Sequence, residues 1–292
     1  MKYKITHTTV YQYADKVSLS QNQARLMPAN LAQQTCLESE LRISPVPSFQ
    51  YSYLDSFNNL VTHFDITVQH QILAVTSTHV VEIAQRPQLE LVYIDTHWEA
   101  VYSSVHRPLN KAGLDIYLHS LPTTYTHSTP DILAYTQVSF SPGRDMLMAC
   151  KCLMERIFND FEFDSQATTV NATAPDIFAL KKGVCQDFVH VALACLRSIG
   201  LACQYVSGYI ETFPPEGEEK LVGADATHAW YAVFLPSHGW IEFDPTNNVL
   251  PSNQHIRLAT GRDYLDVAPL KGLIYGGGDH QLDVSVDMNR IN

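Results

Sequence analysis

Residues 183–208 read GVCQDFVHVALACLRSIGLACQYVSG and predict a helix followed by a strand, with a cysteine at the start of the helix. Gly183 allows a tight turn before Cys185, and Gly200 is a typical helix end. Between them, apolar residues recur at helical spacing; they are Phe188, Ala192, Leu196 and Ile199. A thiol in the first turn of a helix faces unpaired backbone N–H groups and the positive end of the helix dipole, and both favour the thiolate. Cys185 is therefore the candidate nucleophile, and its backbone N–H is a candidate oxyanion-hole donor.

Two later segments supply the other groups that a cysteine nucleophile needs. Residues 227–235 alternate in the manner of a strand, and His228 lies near the start of this run. Residues 236–243 predict a turn and a second strand that ends at Asp244. A hairpin of this kind can bring His228 and Asp244 together. With Cys185 they would form a triad in which the thiolate attacks, the imidazole moves the proton and the carboxylate orients the imidazole.

At these residues the chain resembles the transglutaminase-like superfamily of papain-type thiol enzymes, and above all its bacterial members, which are often assigned as cysteine proteases. The similar segments around the triad are residues 183–208, DATHAW at 225–230 and GWIEFDPTN at 239–247. Further similar segments are HTTVYQY at 7–13, RLMP at 25–28, GRDY at 261–264 and DVAP at 266–269. The resemblance therefore covers nearly the whole chain. One departure is Cys203-Gln204, where the family pattern leads us to expect proline or alanine followed by arginine.

The order of the predicted elements indicates an α+β fold. Short strands separated by turns predict a small antiparallel β-sandwich over residues 1–85. Helix signals begin at Thr129-Pro130, a capping residue followed by proline, and two more helices are predicted before residue 183. The resemblance implies that these helices pack on an antiparallel sheet in a papain-like core. The predicted division is an N-terminal β-sandwich domain (1–85), a linker region (86–128) and a transglutaminase-like catalytic domain (129–292).

Each candidate residue also has a simpler interpretation. Free cysteines are often core residues, so Cys185 alone would more readily be structural; His228, Asp244 and the flanking motifs together favour the nucleophile. A Cys/His/Asp set could also ligate zinc, but zinc sites usually contain close ligand pairs such as CxxC or HExxH, and the sequence has neither. Asp187 and His190, on the nucleophile helix, are predicted to be structural.

Two neighbours of the triad segments bear on the site. Gln186 follows Cys185, whereas the oxyanion-hole glutamine of papain-like enzymes lies upstream of the cysteine, so this role is not assigned to it. Residues 213–223 read FPPEGEEKLVG, an acidic segment rich in proline and glycine that precedes the His228 strand. They are predicted to form a loop over the site.

The triad and the resemblance together imply a thiol enzyme that transfers acyl groups from amides. Cys185 would form a thioester, His228 would act as general base and then acid, and Asp244 would orient it. A cysteine peptidase or amidase is the favoured form. One alternative is a protein-glutamine transglutaminase, in which an amine accepts the acyl group; another is a non-catalytic binding module that retains the fold. The expected partner is a peptide or protein amide, and no metal or organic cofactor is implied.

Composition limits the class of protein. The 292 residues suit two domains, and 46% hydrophobic residues are typical of a globular protein. A net charge of −11 argues against nucleic acid or an anionic membrane as a partner. The sequence shows no apolar run that suggests a membrane span and no signal-peptide core, so a cytoplasmic location with six reduced cysteines is expected.

Overall fold

The structure, a computed structural model, describes residues 1–84, 96–212 and 226–291. The described helices are α1 (Trp98–Val105), α2 (Lys111–Leu118), α3 (Pro130–Ser139), α4 (Met146–Asp160), α5 (Ala174–Leu180), α6 (Cys185–Ser198) and α7 (Tyr264–Val267). The described strands are β1 (Lys2–Ala24), β2 (Gln34–Ser44), β3 (Phe49–Leu54), β4 (Leu60–Ile66), β5 (His70–Ile83), β6 (Glu162–Phe163), β7 (Lys182–Gly183), β8 (Cys203–Ile210), β9 (Ala226–Leu235), β10 (Gly239–Phe243), β11 (His255–Gly261), β12 (Leu270–Gly276) and β13 (His280–Ile291). The predicted α+β class is confirmed. The loop predicted at 213–223 lies outside the described residues.

The N-terminal strands form one curled antiparallel sheet around the long strand β1. The first half of β1 pairs with β5 and the second half with β4, so the order is β2-β5-β1-β4-β3. Apolar side chains from both halves share one small core, which includes Val17, Phe64 and Leu73. Because β1 runs through both halves, the strands predicted as a sandwich are parts of a continuous sheet.

The last two strands return to this sheet. β13 pairs with the first half of β1, from Lys2 opposite Ile291 to Tyr13 opposite His280. β12 pairs with the second half of β1. The predicted boundary at residue 129 assigned these strands to the catalytic domain. In the structure, both strands pair along β1 of the N-terminal region.

Residues 96–128, predicted as part of a linker, carry two helices in the structure. These are α1 and α2, and Val101 and Val105 of α1 are buried in the main core together with residues of α4 and α6. The same core includes Tyr3 and Ile5 of β1. The segment therefore belongs to the packed body of the protein, and one continuous core joins the two sheets.

A four-stranded antiparallel sheet, in the order β10-β9-β8-β11, holds the second half of the chain together. Helix α6 packs against β8 and β9, and nearly every residue from Phe188 to Leu196 is buried. Alternate residues of β9 face opposite sides: Tyr231 and Val233 lie in the main core, whereas Trp230 and Ala232 form a separate cluster on the other face. This sheet sets the positions of the groups around His228.

The helix start predicted at Thr129-Pro130 is confirmed by its cap. The Thr129 hydroxyl accepts a hydrogen bond from the Ile132 N–H at the start of α3. Helix α4 starts at Met146, where the Asp145 carboxylate accepts from the Met148 N–H. Such caps satisfy N–H groups that the helix itself leaves unpaired. No helix in the described ranges combines the length and apolar character that crossing a lipid bilayer requires.

Candidate active site

Cys185 is the first residue of α6, as the sequence predicts. The turn before it is held by Asp187, whose Oδ2 accepts hydrogen bonds from the Val184 N–H at 2.8 Å and the Thr168 hydroxyl at 2.6 Å. A side chain at Gly183 would collide with the Asp187 side chain, so only glycine fits this approach. The half-buried thiol of Cys185 therefore lies at a fixed helix start, next to N–H groups that the helix leaves unpaired.

His228 lies near the start of β9, opposite Gly208 of β8. Its ring is almost fully buried, and the Cys185 thiol is one of its hydrogen-bonding partners. Its Nε2 lies 2.8 Å from Oδ2 of Asp244, which leaves Nδ1 for the thiol. A side chain at Gly208 would collide with the Trp230 ring and the Ile256 carbonyl, so glycine at this position permits the close packing around His228.

Asp244 follows directly after β10 and is fully buried. Its Oδ1 accepts hydrogen bonds from the backbone N–H groups of Thr246 (3.0 Å) and Asn247 (3.2 Å). Its Oδ2 faces Nε2 of His228 and also accepts from the Asn247 side chain at 2.7 Å. The hairpin of β9 and β10 and the tight turn after it therefore bring Cys185, His228 and Asp244 together in that order.

The electrostatics of this group favour charged forms. Burial acts to lower the pKa of His228, but its hydrogen bonds and charge interactions with Asp244 and Cys185 outweigh burial and raise the pKa to about 10. Burial acts to raise the pKa of Asp244. Hydrogen bonds from His228, His255 and Asn247, together with the charge of His228, outweigh burial and hold this pKa well below its usual range. Asp244 and Cys185 therefore both favour the imidazolium form of His228.

A second histidine at this site was not predicted from the sequence. His255, the first residue of β11, is buried, and its Nε2 lies 3.0 Å from Oδ2 of Asp244. Asn247, which belongs to the segment 239–247, also donates to the same oxygen. The sequence signal for His255 is weak: one histidine at the start of a strand, separated from Asp244 by a loop whose path the sequence does not give.

These residues also form a possible metal-binding set. His228, Asp244 and His255 each offer a ligand atom, and the three atoms lie within 4.8 Å of one another. Two histidines and a carboxylate suit a zinc ion. Here, however, Oδ2 of Asp244 already has three hydrogen-bonding partners at 2.7–3.0 Å, which satisfy the buried carboxylate without a cation.

A cleft of about 1150 Å³ opens beside His228. One wall comes from α4, the other from the turn after Asp244 and the end of β8; its charged lining residues are Lys151, Glu155 and Glu211. Both His228 and His255 line it. A cleft of this size can hold a short peptide segment.

Two tryptophans and a glutamine near the triad segments pack around the reacting groups or lie away from them. Trp230 contacts the rings of His228 and His255, whereas Trp240 packs on Phe234 and His119. The Gln186 side chain donates to the Val170 carbonyl at 3.2 Å.

His190 lies in the interior of α6. It is fully buried, and its Nε2 accepts from the Tyr264 N–H at 3.3 Å. It is therefore structural, as predicted.

Comparison with known proteins identifies the family of this chain. Residues 135–245 match the transglutaminase-like superfamily, and residues 3–82 match the bacterial transglutaminase-like N-terminal region. An uncharacterized protein of Mycobacterium bovis that is similar to this chain is 36% identical over 98% of this chain and 92% of its own length. The chain belongs to the transglutaminase-like superfamily. The predicted family is thus confirmed.

Two further similar proteins match different shares of this chain. A protein-glutamine gamma-glutamyltransferase of Pseudomonas aeruginosa is 32% identical over 116 residues, which are 38% of this chain and 17% of that protein. A crystal structure of a provisionally assigned cysteine protease from Cytophaga hutchinsonii matches 100% of this chain and 91% of its own, with a TM-score of 0.77 and 20% sequence identity. The second match shows a shared fold across both sheets.

Proposed function

We propose that this transglutaminase-like protein is a thiol-dependent amidase or peptidase that uses Cys185, His228 and Asp244. The observation that carries the proposal is the position of the His228 ring, which contacts the Cys185 thiol and lies 2.8 Å from Asp244 through Nε2. This is the order that nucleophilic thiol catalysis needs.

The chemistry follows from these contacts. The Cys185 thiol gives its proton to His228, the resulting thiolate adds to the amide carbonyl carbon, and the backbone N–H of Cys185 is a donor for the oxyanion. The imidazolium of His228 then gives its proton to the leaving nitrogen, the C–N bond breaks, and a thioester remains. Water next attacks the thioester while His228 takes a proton from it. The carboxylic acid and the thiol are released, and Asp244 holds the ring in one orientation throughout.

A second candidate is acyl transfer to an amine. The supporting observation is the relative from Pseudomonas aeruginosa that bears the name of a protein-glutamine gamma-glutamyltransferase. In that reaction a primary amine replaces water in the last step, and the groups on Cys185 and His228 act as before. The cleft beside His228 is large enough for a second substrate, so the experiment below also tests acyl transfer to an amine.

The decisive experiment measures thiol reactivity and turnover separately. First, alkylation of Cys185 by iodoacetamide is followed by mass spectrometry at pH 6 and pH 9. Ordinary thiols have a pKa of about 8.5 and react slowly at pH 6. We expect wild-type Cys185 to keep most of its rate at pH 6 and His228→Ala to lose it. Cys152, which is also partly exposed, is the internal reference.

Second, glutamine-containing peptides are incubated with and without a dansylated primary amine. Release of ammonia or of an amine fragment without dansyl incorporation supports hydrolysis, and incorporation supports transfer to the amine. Cys185→Ala is the control for both. If Cys185 alkylates no faster than Cys152 at pH 6 and no substrate turns over, the thiol-enzyme proposal is wrong and a binding module that retains the fold is the better description.

A further inference from the structure

The Asp244 carboxylate serves two imidazoles, and a simple triad needs one. Nε2 of His228 lies 2.8 Å from Oδ2, and Nε2 of His255 lies 3.0 Å from the same atom. Asn247 occupies a third position on that oxygen at 2.7 Å, and two backbone N–H groups hold Oδ1. Because four other contacts already fix the carboxylate, the His255 contact is not needed merely to hold Asp244 in place.

The hydrogen bonds of His255 define its protonation. Its Nδ1 accepts a hydrogen bond from the Ser252 backbone N–H at 3.3 Å. A ring nitrogen that accepts from an N–H carries no proton, so the proton of this imidazole is on Nε2. His255 therefore donates to Asp244 through Nε2, and it shares this carboxylate oxygen with His228.

Packing keeps the His255 ring in this orientation. The Trp230 ring meets it edge to face, with centroids 5.2 Å apart, and the ring is almost fully buried. Gly208 of β8 lies between the two histidine strands, opposite His228 on one side and Arg257 on the other. Because a side chain at Gly208 would collide with the Trp230 ring, glycine leaves room for Trp230 to pack against both imidazoles.

We propose that His255 is a positioning residue that takes up part of the negative charge of Asp244 and so limits how tightly His228 holds its proton. A hydrogen bond to a carboxylate disperses its charge, and the less charge faces His228, the less the imidazolium is stabilised. An imidazolium that holds its proton too tightly is a poor acid towards the leaving nitrogen. This inference rests on the proposed function, in which His228 must release that proton.

Other charged groups also lie near His228. Within the described ranges, the titratable and charged groups that face this site or its cleft are Cys185 of α6, Lys151 and Glu155 of α4, Glu211 at the end of β8, Tyr231 of β9, Asp244 and His255. Glu211 is itself paired with Arg290 at 2.7 Å. Of this set, His255 contacts the same atom as His228, Oδ2 of Asp244, so replacing His255 gives the most specific test.

The test is an NMR titration of the histidine rings in protein labelled with [15N]histidine. The Cys185→Ala background is used because it removes one of the groups that raise the pKa of His228 and brings the titration into an accessible range. Rings are assigned by single replacements of His228 and His255. In this protein the His255 nitrogen shifts should show a neutral ring protonated on Nε2. A doubly protonated ring, or a proton on Nδ1, would overturn the proposal without any variant of His255.

A matched pair of variants then separates the donor from the side-chain volume. His255→Gln keeps an N–H that reaches Asp244, whereas His255→Asn is too short to do so. In His255→Asn the His228 midpoint should rise by about one pH unit, since a hydrogen bond to a charged group is worth about that much. In His255→Gln it should stay within about 0.3 unit of the parent, a shift of about 0.4 kcal/mol or less.

The outcomes are distinct from those of the proposed function. An unchanged or lowered His228 midpoint in His255→Asn, or equal shifts in both variants, would show that His255 only fills space. The titration needs no substrate and no thiol. It can therefore fail while amide turnover is present, and it can succeed even if every amide tested is left intact.

Discussion

The first turn of α6 and the interior of the same helix each involve a cysteine and a buried histidine, with opposite chemical results. In the interior, burial lowers the pKa of His190 to about 3 and raises that of the Cys195 thiol to about 12, so both are neutral. At the first turn, His228 is almost as buried, yet its partners Asp244 and Cys185 raise its pKa to about 10. Burial alone removes charge, and a buried partner of opposite charge restores it.

The largest expected effect separates the two cysteines. Cys185→Ala should reduce amide turnover by about 10⁴-fold or more, because no other group can form the thioester. Its melting temperature should stay close to that of wild type, since the residue is half-buried at a helix start. Cys195→Ala should retain turnover and lose about 1 kcal/mol of unfolding free energy through poorer packing. Turnover assays and thermal melts of both variants test this, and a Cys185→Ala protein that still turns over would remove the distinction.

The second prediction compares two carboxylates. Asp244→Asn should lower kcat by about a thousandfold, with little change in KM, because an amide stabilises the imidazolium less and can favour the wrong ring tautomer. Asp187→Asn should leave kcat within about threefold and cost about 1–2 kcal/mol, because it weakens the contacts with Val184 and Thr168. Steady-state kinetics and denaturant unfolding of the pair decide. Equal kcat values for wild type and Asp244→Asn would reduce the site to a Cys-His pair.

The third prediction uses pH to distinguish the two histidines. The pKa of His228 is raised from 6.5 to about 10, so its contribution to stability is complete below pH 6.5 and is lost as the pH rises towards 10. The pKa of His190 is lowered from 6.5 to about 3, so stability is lost as the pH falls below 6.5.

Denaturant unfolding across pH 4 to 10 checks both slopes. His228→Gln should flatten the alkaline side and His190→Gln the acid side, each by about 1.4 kcal/mol per pH unit, the effect of one proton. Other histidines whose pKa is lowered to about 4 (His7, His79 and His119) remain in both variants and leave a residual acid slope. If each replacement changed both sides equally, the assignment of charge to the first turn would be wrong.

The smallest expected effect concerns Gln186, next to the nucleophile. Its amide donates to the Val170 carbonyl at 3.2 Å, so Gln186→Ala should change kcat by about threefold or less. A loss of a hundredfold in kcat, measured with the same substrate, would instead identify Gln186 as an oxyanion donor.

The sequence alone was sufficient to predict those elements whose signals lie within a short stretch of the chain. The helix that begins at Cys185, the hairpin that carries His228 and Asp244, and the cap at Thr129 are all encoded within a few neighbouring residues. The contact of His255 with Asp244 depends on how the loop between them crosses the sheet. The pairing of β12 and β13 with β1 depends on contacts between distant parts of the chain. Such contacts leave no periodic pattern, so neither was predicted.

The return of β13 to β1 has a consequence for how this protein is made. Tyr13 pairs with His280, which lies more than 260 positions later in the chain. The sheet around β1 therefore cannot be completed until nearly all of the described chain has left the ribosome. Until then, one long edge of β1 is open to pairing with strands of other molecules. Contacts between such distant residues also slow folding. Synthesis that stalls after β11 should therefore yield a product that depends on chaperones, even though every residue of the candidate site is already present.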